Sequence, residues 1–335
     1  RDRSVSRGLG DVYKRQDNVD VSFSSSSLEQ ISDEYFNNVF EALKTLSSQV
    51  VHYNSPDEFI NNIQKHKKDL VFTIYGGERS RNRMALIPAI CESYRIKYCG
   101  ADTYARIICQ DKYLSKLYCN DFGLKSAKGY LIRDINEVQL LDNLDFPIVL
   151  KPNMEGSSIG ITENSLVSNI HEANILIRDL LKVHKQPILA EEFIGGKEVC
   201  FYIIGDNTGL KLFSALELYF EDDEYYMQKH LYCANLKHLS EKLRYRTILD
   251  NISLSEIEKI KAIFISLGKM DYMRIDCRIK NDELYLIELT PDAHIGADSG
   301  FGYLASRFDM SYSDLFKSII NTALNYYRPQ DSNLR

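Results

Sequence analysis

Two acids in "MRIDCRIKNDELYLIEL" (273–289) raise the first chemical question. Asp276 and Glu288 sit in apolar runs on either side of a polar turn. Residues two apart on a strand share a face. Arg274 therefore accompanies Asp276, and Thr290 accompanies Glu288. If the connection is Asn281-Asp282-Glu283, Lys280 pairs with Leu284 and Asp276 falls opposite Glu288, with Arg274 opposite Thr290. A two- or four-residue connection would put the acids on opposite faces. Directly opposed carboxylates repel. A hard divalent cation such as Mg²⁺ removes that cost, and it uses one or two carboxylates with phosphate oxygens completing its shell. The spacing leaves a second arrangement open, in which the two acids splay into solvent and Arg274 pairs one of them.

A second stretch, "IVLKPNMEGSSIGIT" (148–162), reads as a strand that delivers Lys151 into a Gly- and Ser-rich loop. The backbone amides of Gly156, Ser157, Ser158 and Gly160 can wrap a phosphate without side-chain obstruction. Lys151 adds a point charge. The pattern is neither a Walker loop nor GxGxxG, and a plain solvated hairpin loop reads the same way. In "ILAEEFIGGKEVCFYIIG" (188–205), Glu191, Glu192 and Glu198 stand beside apolar strand residues. Such carboxylates can accept from an adenine amino group or ribose hydroxyls; an exposed acidic strand edge is the plain alternative. Ser157 has no His or acid at a supporting spacing, which disfavours a covalent hydrolase.

These residues need elements to position them. Ser32, Asp33 and Glu34 open a helix whose apolar positions run from Tyr35 to Leu46, after a strand at "VDVSF" and a Ser-rich loop. "DLVFTIY" (69–75) reads as a buried strand, followed by Gly76-Gly77, a helix to about Tyr94 and a short strand at "IKYCGAD". This alternation predicts a small parallel sheet with helices on both faces. A helix is expected over 103–123. Strands are expected at 128–132, 147–151, 188–194 and 198–205, and a long loop with some helix over 217–246. A helix over 254–268, strands at 272–279 and 284–289, and an amphipathic helix over 311–326 complete the reading.

The bulk properties bound the function. With 335 residues the chain has room for two or three domains. A net charge of -6 argues against binding nucleic-acid backbone as the main task. No apolar run approaches the ~18 residues of a membrane span, and no signal peptide is evident. The seven cysteines are scattered, without a CxxC pair, which fits buried thiols in a cytoplasmic protein better than disulfides or zinc. Residues 1–16 read as an artefactual or disordered segment and are set aside.

In order, the Lys–Gly/Ser loop, the acidic strand pair and the Arg-x-Asp…Glu hairpin resemble the ATP-grasp superfamily, and within it the D-alanine–D-alanine ligase family. The resemblance runs over about residues 19–325. "YCGADTYARIICQDKYLSKLYCNDFGL" is similar to that family's linker and helix, which implies Lys112 on an ATP phosphate. "KPNMEGSSIG" implies Lys151 on ATP, with Gly156, Ser157 and Ser158 near phosphate and substrate. "EEFIGGKEV" implies Glu191, Glu192, Ile194 and Glu198 at adenine and ribose. The hairpin implies Asp276 and Glu288 as ligands of Mg²⁺ (or Mn²⁺), and Arg274 at the reacting carbonyl. Thr290 stands where the family has Asn, so Thr290, Asp292 or a water would complete the metal shell. Ser299 matches a serine on the second substrate's carboxylate. "SSSSLE" offers Glu29 for the glutamate of a Gly-Gly-x-Ser-x-Glu pattern. "MQKHLY" offers Lys229 and His230 where a Lys-Tyr pair is expected in the substrate loop, and a His there resembles relatives that use a hydroxy acid.

The implied fold is α/β, with α+β character in the ATP-binding half. It is an ATP-grasp fold with a small parallel-sheet N-terminal domain (17–102), a central ATP-grasp subdomain (103–195) and a C-terminal one bearing the metal site (196–330). The implied activity is an ATP-dependent carboxylate–amine ligase acting through an acyl phosphate, joining D-alanine to D-alanine for peptidoglycan precursors. Its partners would be small-molecule amino acids, not nucleic acid or membrane, and the resemblance implies a homodimer. The altered loops leave two alternatives: a ligase for another amino acid or a hydroxy acid, and a nucleotide-binding protein without ligase activity.

Overall fold

The computed structural model describes residues 31–77, 80–233, 242–291 and 293–328. The strand expected at "VDVSF", the Ser-rich loop, Glu29 and Asp292 lie outside the described residues. Helix α1 (Asp33–Leu46) starts where its capping residue predicts: the Ser32 side chain accepts from the Tyr35 amide at 3.1 Å. Asp33 and Glu34 then lie at the positive end of the helix. Next come α2 (Pro56–Asn62), β1 (Leu70–Phe72), α3 (Leu86–Tyr94) and β2 (Lys97–Cys99). Strands β1 and β2 pair in parallel from Leu70↔Lys97 to Phe72↔Cys99, which is the small parallel sheet expected. Strand β1 is shorter than its apolar run, because beyond Phe72 the Thr73 hydroxyl takes the Tyr75 amide.

The single helix expected over 103–123 is two, α4 (Thr103–Gln110) and α5 (Lys112–Asp121). Asp111 separates them. Its backbone is extended, and its side chain caps the second helix through the Leu114 amide at 2.9 Å. After a turn at Gly123, where φ is +76°, come β3 (Lys125–Ser126), β4 (Gly129–Ile132), β5 (Ile148–Pro152), β6 (Leu166–Val167), α6 (Ile170–His184) and β7 (Ile188–Glu192). Helix α6 has no counterpart in the sequence-based reading. It packs Ala173, Ile177 and Leu180 on the antiparallel sheet β4-β7-β5-β6.

The larger sheet uses β8 (Lys197–Asp206), β9 (Gly209–Phe220), β10 (Leu243–Thr247), β11 (Asp271–Lys280) and β12 (Glu283–Pro291), with β3, in the order β10-β9-β8-β11-β12-β3. The loop expected over 217–246 is therefore wrong at both ends. Its start is the end of β9 and its finish is β10, which pair from Leu243↔Phe220 to Thr247↔Leu216; the short helix α7 (Tyr226–Lys229) lies between. Strand β9 shows no clean alternation because most of its second half is buried. One face of this sheet carries Val199, Phe201, Ile203, Met273, Ile275 and Cys277, packed with residues of α4, α5 and α8 (Leu254–Ser266). The other packs at one end against α1, α9 (Gly300–Arg307) and α10 (Tyr312–Tyr326). None of the seven cysteines is in a disulfide, and all are buried.

Candidate active site

The site grows from the second face of the large sheet. The connection between β11 and β12 has two residues, Asn281 and Asp282, both with positive φ (54° and 62°), and Lys280 pairs with Glu283. A two-residue turn alone would put Asp276 and Glu288 on opposite faces. A β-bulge corrects this: Cys277 pairs with Leu286, Asp276 pairs with Glu288, and Ile287 is the extra residue between them. The outcome of the expected register survives, while the expected three-residue turn does not. Leu284, Leu286 and Leu289 face the core, and Glu288 and Thr290 line the cavity.

The ladder then arranges side chains in three rows across the sheet, each about 7 Å from the next at two residues' rise. The first runs Leu218, Glu198, Arg278, Tyr285; the second Leu216, Cys200, Asp276, Glu288; the third Ser214, Tyr202, Arg274, Thr290. All of these except Leu216 and Ser214 line the floor of a cavity of about 850 Å³. The Gly/Ser loop 153–160, Glu191 to Ile194, and the segment holding His294, Asp298 and Ser299 form its walls.

The charges interlock. Arg274 grips Asp276 with two hydrogen bonds, Nε to Oδ1 at 2.6 Å and Nη2 to Oδ2 at 2.7 Å. Lys112 reaches Glu288 at 3.1 Å and also donates to the Glu155 carbonyl. Burial pushes the Glu288 carboxyl up, but Lys112, then Arg274 and Lys151, overcome it and hold the group at about 2. The acids are thus paired rather than splayed. Glu191 lies between Lys151 at 2.6 Å and Lys116 at 3.0 Å. Lys116 also donates to the Leu286 carbonyl at 2.7 Å. Burial lowers the Lys116 ammonium pKa, with Glu191 opposing the fall.

The loop after β5 is anchored at its base. Asn153, fully buried, donates to the Asp111 carboxylate at 2.7 Å and accepts from the Tyr113 amide at 2.9 Å. Gln186 accepts from the Met154 amide at 2.7 Å and donates to Glu155 at 2.6 Å, and Arg83 meets the other oxygen of Glu155 at 3.1 Å. Ser157 and Ser158 both have positive φ, 51° and 63°. Left-handed backbone in two non-glycine residues stores strain, and such strain clusters at binding sites. Gly160, at φ 72°, has no room for a side chain, because a Cβ would overlap Pro152 and crowd His184.

Of the residues singled out by sequence, Lys112, Lys151, Gly156, Ser157, Ser158, Glu191, Glu192, Ile194, Glu198, Arg274, Asp276, Glu288, Thr290 and Ser299 all line this cavity. Lys229 and His230 do not. They are exposed at the end of α7, and the His230 ring stacks on Tyr226 at 4.4 Å. The Ser299 hydroxyl is committed as the cap of α9, accepting from the Gly302 amide at 3.2 Å and donating to the Gly296 carbonyl at 2.6 Å. Lys116, Arg278, Arg83 and Tyr202 were missed. Two carry a spacing signal: Lys116 is one helical turn beyond Lys112, and Arg278 continues the alternation of Arg274 and Asp276.

Arg278 ties the first row to α7. It bonds Glu198 at 3.1 Å, the Ile194 carbonyl at 3.3 Å, the His230 carbonyl at 3.0 Å and the Met227 carbonyl. Burial raises the Glu198 pKa, with Arg278 opposing the rise. Replacing Arg278 with Met strands these acceptors, at about 1–3 kcal/mol. Limited proteolysis should cut within 226–233 faster than in the parent, and cleavage at the parent rate would contradict this anchoring.

A hard cation asks for oxygen donors. Asp276 and Glu288 supply two carboxylates at one register pair, and the Thr290 hydroxyl beside them is buried with no hydrogen-bond partner among the described residues. Among those residues no group of three His, Cys, Asp or Glu side chains gathers around a common point. Two carboxylates and a buried hydroxyl are oxygen donors of the kind such an ion takes, and they fit it in type.

A family model described as "D-ala D-ala ligase C-terminus" matches residues 123–321. The D-alanine–D-alanine ligase of Haemophilus ducreyi is 27% identical over 298 residues, spanning 85% of this chain and 91% of that protein. That of Helicobacter pylori strain HPAG1 is 26% identical over 264 residues, 74% of this chain and 68% of the other. The crystal structure of the Bacillus anthracis D-alanine–D-alanine ligase complexed with ATP superposes with a TM-score of 0.69 at 22% identity, covering 90% and 95% of the two chains. The fold is thus ATP-grasp, and the family match covers more than half of the sequence. The chain belongs to the D-alanine–D-alanine ligase family.

Proposed function

We propose that the protein is an ATP-dependent carboxylate–amine ligase that joins D-alanine to D-alanine for peptidoglycan precursors. One observation carries the reading. Lys112, Lys151, the strained serine loop, the opposed acids and Arg274 converge on one cavity in a chain of this family. Lys112, Lys151 and the loop amides would bind the phosphates of ATP, with Glu192, Ile194 and Glu198 toward adenine and ribose. Asp276, Glu288 and Thr290 would hold Mg²⁺ (or Mn²⁺), which when bound neutralises phosphate charge. A carboxylate oxygen of the first D-alanine attacks the γ-phosphorus and its bond to ADP breaks. The amine nitrogen of the second D-alanine attacks the carbonyl carbon, the bond to phosphate breaks, and the proton lost from the nitrogen leaves on the phosphate as hydrogen phosphate. Arg274 stabilises the oxyanion formed in that attack. The loop and sheet hold the reacting groups together and keep water out. The reading carries with it a cytoplasmic site of action and a homodimer.

ADP release measured against D- and L-amino acids and D-lactate, with products identified by mass, tests it. D-alanine should stimulate release and yield the dipeptide. ATP turnover without D-alanine dependence would overturn the proposal, and an ester with D-lactate would redirect it to a hydroxy-acid acceptor.

A further inference from the structure

The end of the cavity beyond Arg274 has its own architecture. Tyr202 on β8 is paired directly with Arg274 on β11, so the two side chains rise from one face as neighbours. Tyr202 is only 3% exposed. Its ring meets Phe301 edge-on, with centroids 4.9 Å apart and planes at 85°. Phe301 lies in the first turn of α9, next to Gly300. A Cβ built on Gly300 would overlap Cζ and the hydroxyl oxygen of Tyr202. Gly300 is not among the residues with positive φ. The tyrosine ring, not the backbone, is therefore what forbids a side chain at position 300. Both residues line the cavity together with Arg274 and Ser299.

This placement matters for the second half-reaction. In the ligase reading the phosphates lie at the Asp276–Glu288 row. The amine adds over the face of the carbonyl held by Arg274, so the acceptor needs its own space beside Arg274, and the cavity offers that space at the end walled by Tyr202, Ser299 and Gly300. Given the ligase activity proposed above, on which this inference rests, we propose that Tyr202 sets the size of the acceptor. Seated in the space that Gly300 leaves open, it restricts the acceptor to side chains no larger than methyl or hydroxymethyl. One methylene too many in a closed apolar pocket is worth about 10–200-fold in discrimination.

The test uses the full chain, with D-alanine as donor and D-alanine, D-serine, D-2-aminobutyrate and D-norvaline as acceptors. Mixed products are resolved by mass and kcat/KM is determined for each acceptor. The parent should lose at least about tenfold between D-alanine and D-2-aminobutyrate. Tyr202→Ala should recover most of that loss, chiefly through the acceptor KM, with the KM for ATP unchanged. Tyr202→Phe keeps the ring and should keep the parent's ranking. Tyr202→Leu leaves an apolar filler against Phe301 and carries the same test if the alanine variant does not fold. An unaltered ranking in the truncated variants, or a parent that accepts D-norvaline as well as D-alanine, would overturn this inference alone. A parent that releases no ADP with any acceptor would remove the ligase reading and this inference with it.

Discussion

Replacing Arg274 with alanine should lower kcat by about 10²–10³, the usual cost of deleting one preorganised oxyanion donor. The geometry explains why the loss would fall on kcat. Nε and one terminal nitrogen of Arg274 are committed to Asp276 at 2.6 and 2.7 Å. The remaining N–H groups are therefore held in place before substrate arrives and need no reorganisation during reaction. Arg274 lies in the third row, about 14 Å along the strand from Glu198 at four residues' rise, so the KM for ATP should change little. Arg274→Lys should not rescue, because an ammonium lacks the planar fork that grips both carboxylate oxygens while holding further N–H groups in a fixed direction. Steady-state kinetics on folded variants checks this. A kcat within a factor of a few of the parent would mean that Arg274 only pairs Asp276.

Replacing Glu191 with Gln should cost about 3–5 kcal/mol of stability, because it leaves charged groups buried without their partner. The carboxylate lies between Lys151 at 2.6 Å and Lys116 at 3.0 Å, and all three side chains are at most 8% exposed. Burial raises the Glu191 pKa, but Lys116 and Lys151 outweigh it and hold the group below its ordinary 4.5. A carboxyl depressed in the folded state contributes fully above about 4.5, and its contribution fades as pH falls below that value. The melting temperature of Glu191→Gln should therefore lie on the order of 10 °C below the parent at neutral pH, with the gap closing on acidification. Equal melting temperatures at neutral pH would contradict the buried trio.

What the sequence could reveal followed the range of each physical cause. The N-terminus of α1 was legible because Ser32, Asp33 and Glu34 act within one turn. The pairing of Asp276 with Glu288 was legible through strand alternation, yet for the wrong local reason. The turn has two residues, and the bulge at Ile287 has no signature in a run of apolar residues. Strand β10 was hidden because "LRYRT" is an edge strand whose Arg246 bonds the buried Glu217 from β9 at 2.8 and 2.9 Å, a partner set by tertiary contact. Helix α6 was the reverse case. Its Asn169 cap and its buried Ala173, Ile177 and Leu180 are local signals and were open to reading.

In the site, the residues named by sequence are those whose chemistry shows in their type and short spacing: Lys151 before glycines, and Arg274 two before Asp276. The missed ones depend on distant partners. Arg83 reaches Glu155 from the N-terminal part of the chain, and Tyr202 is intelligible only beside Gly300. The expectation for Lys229 and His230 rested on loop position alone, and both are exposed at the end of α7, outside the lining of the cavity.

The central claim is that the substrate's own carboxylate is phosphorylated before the amine attacks. D-alanine labelled with ¹⁸O in both carboxylate oxygens, turned over with unlabelled ATP, tests it directly. Each released phosphate should carry one ¹⁸O atom, with ADP as the other product. Phosphate free of label, or release of AMP and pyrophosphate, would contradict the account.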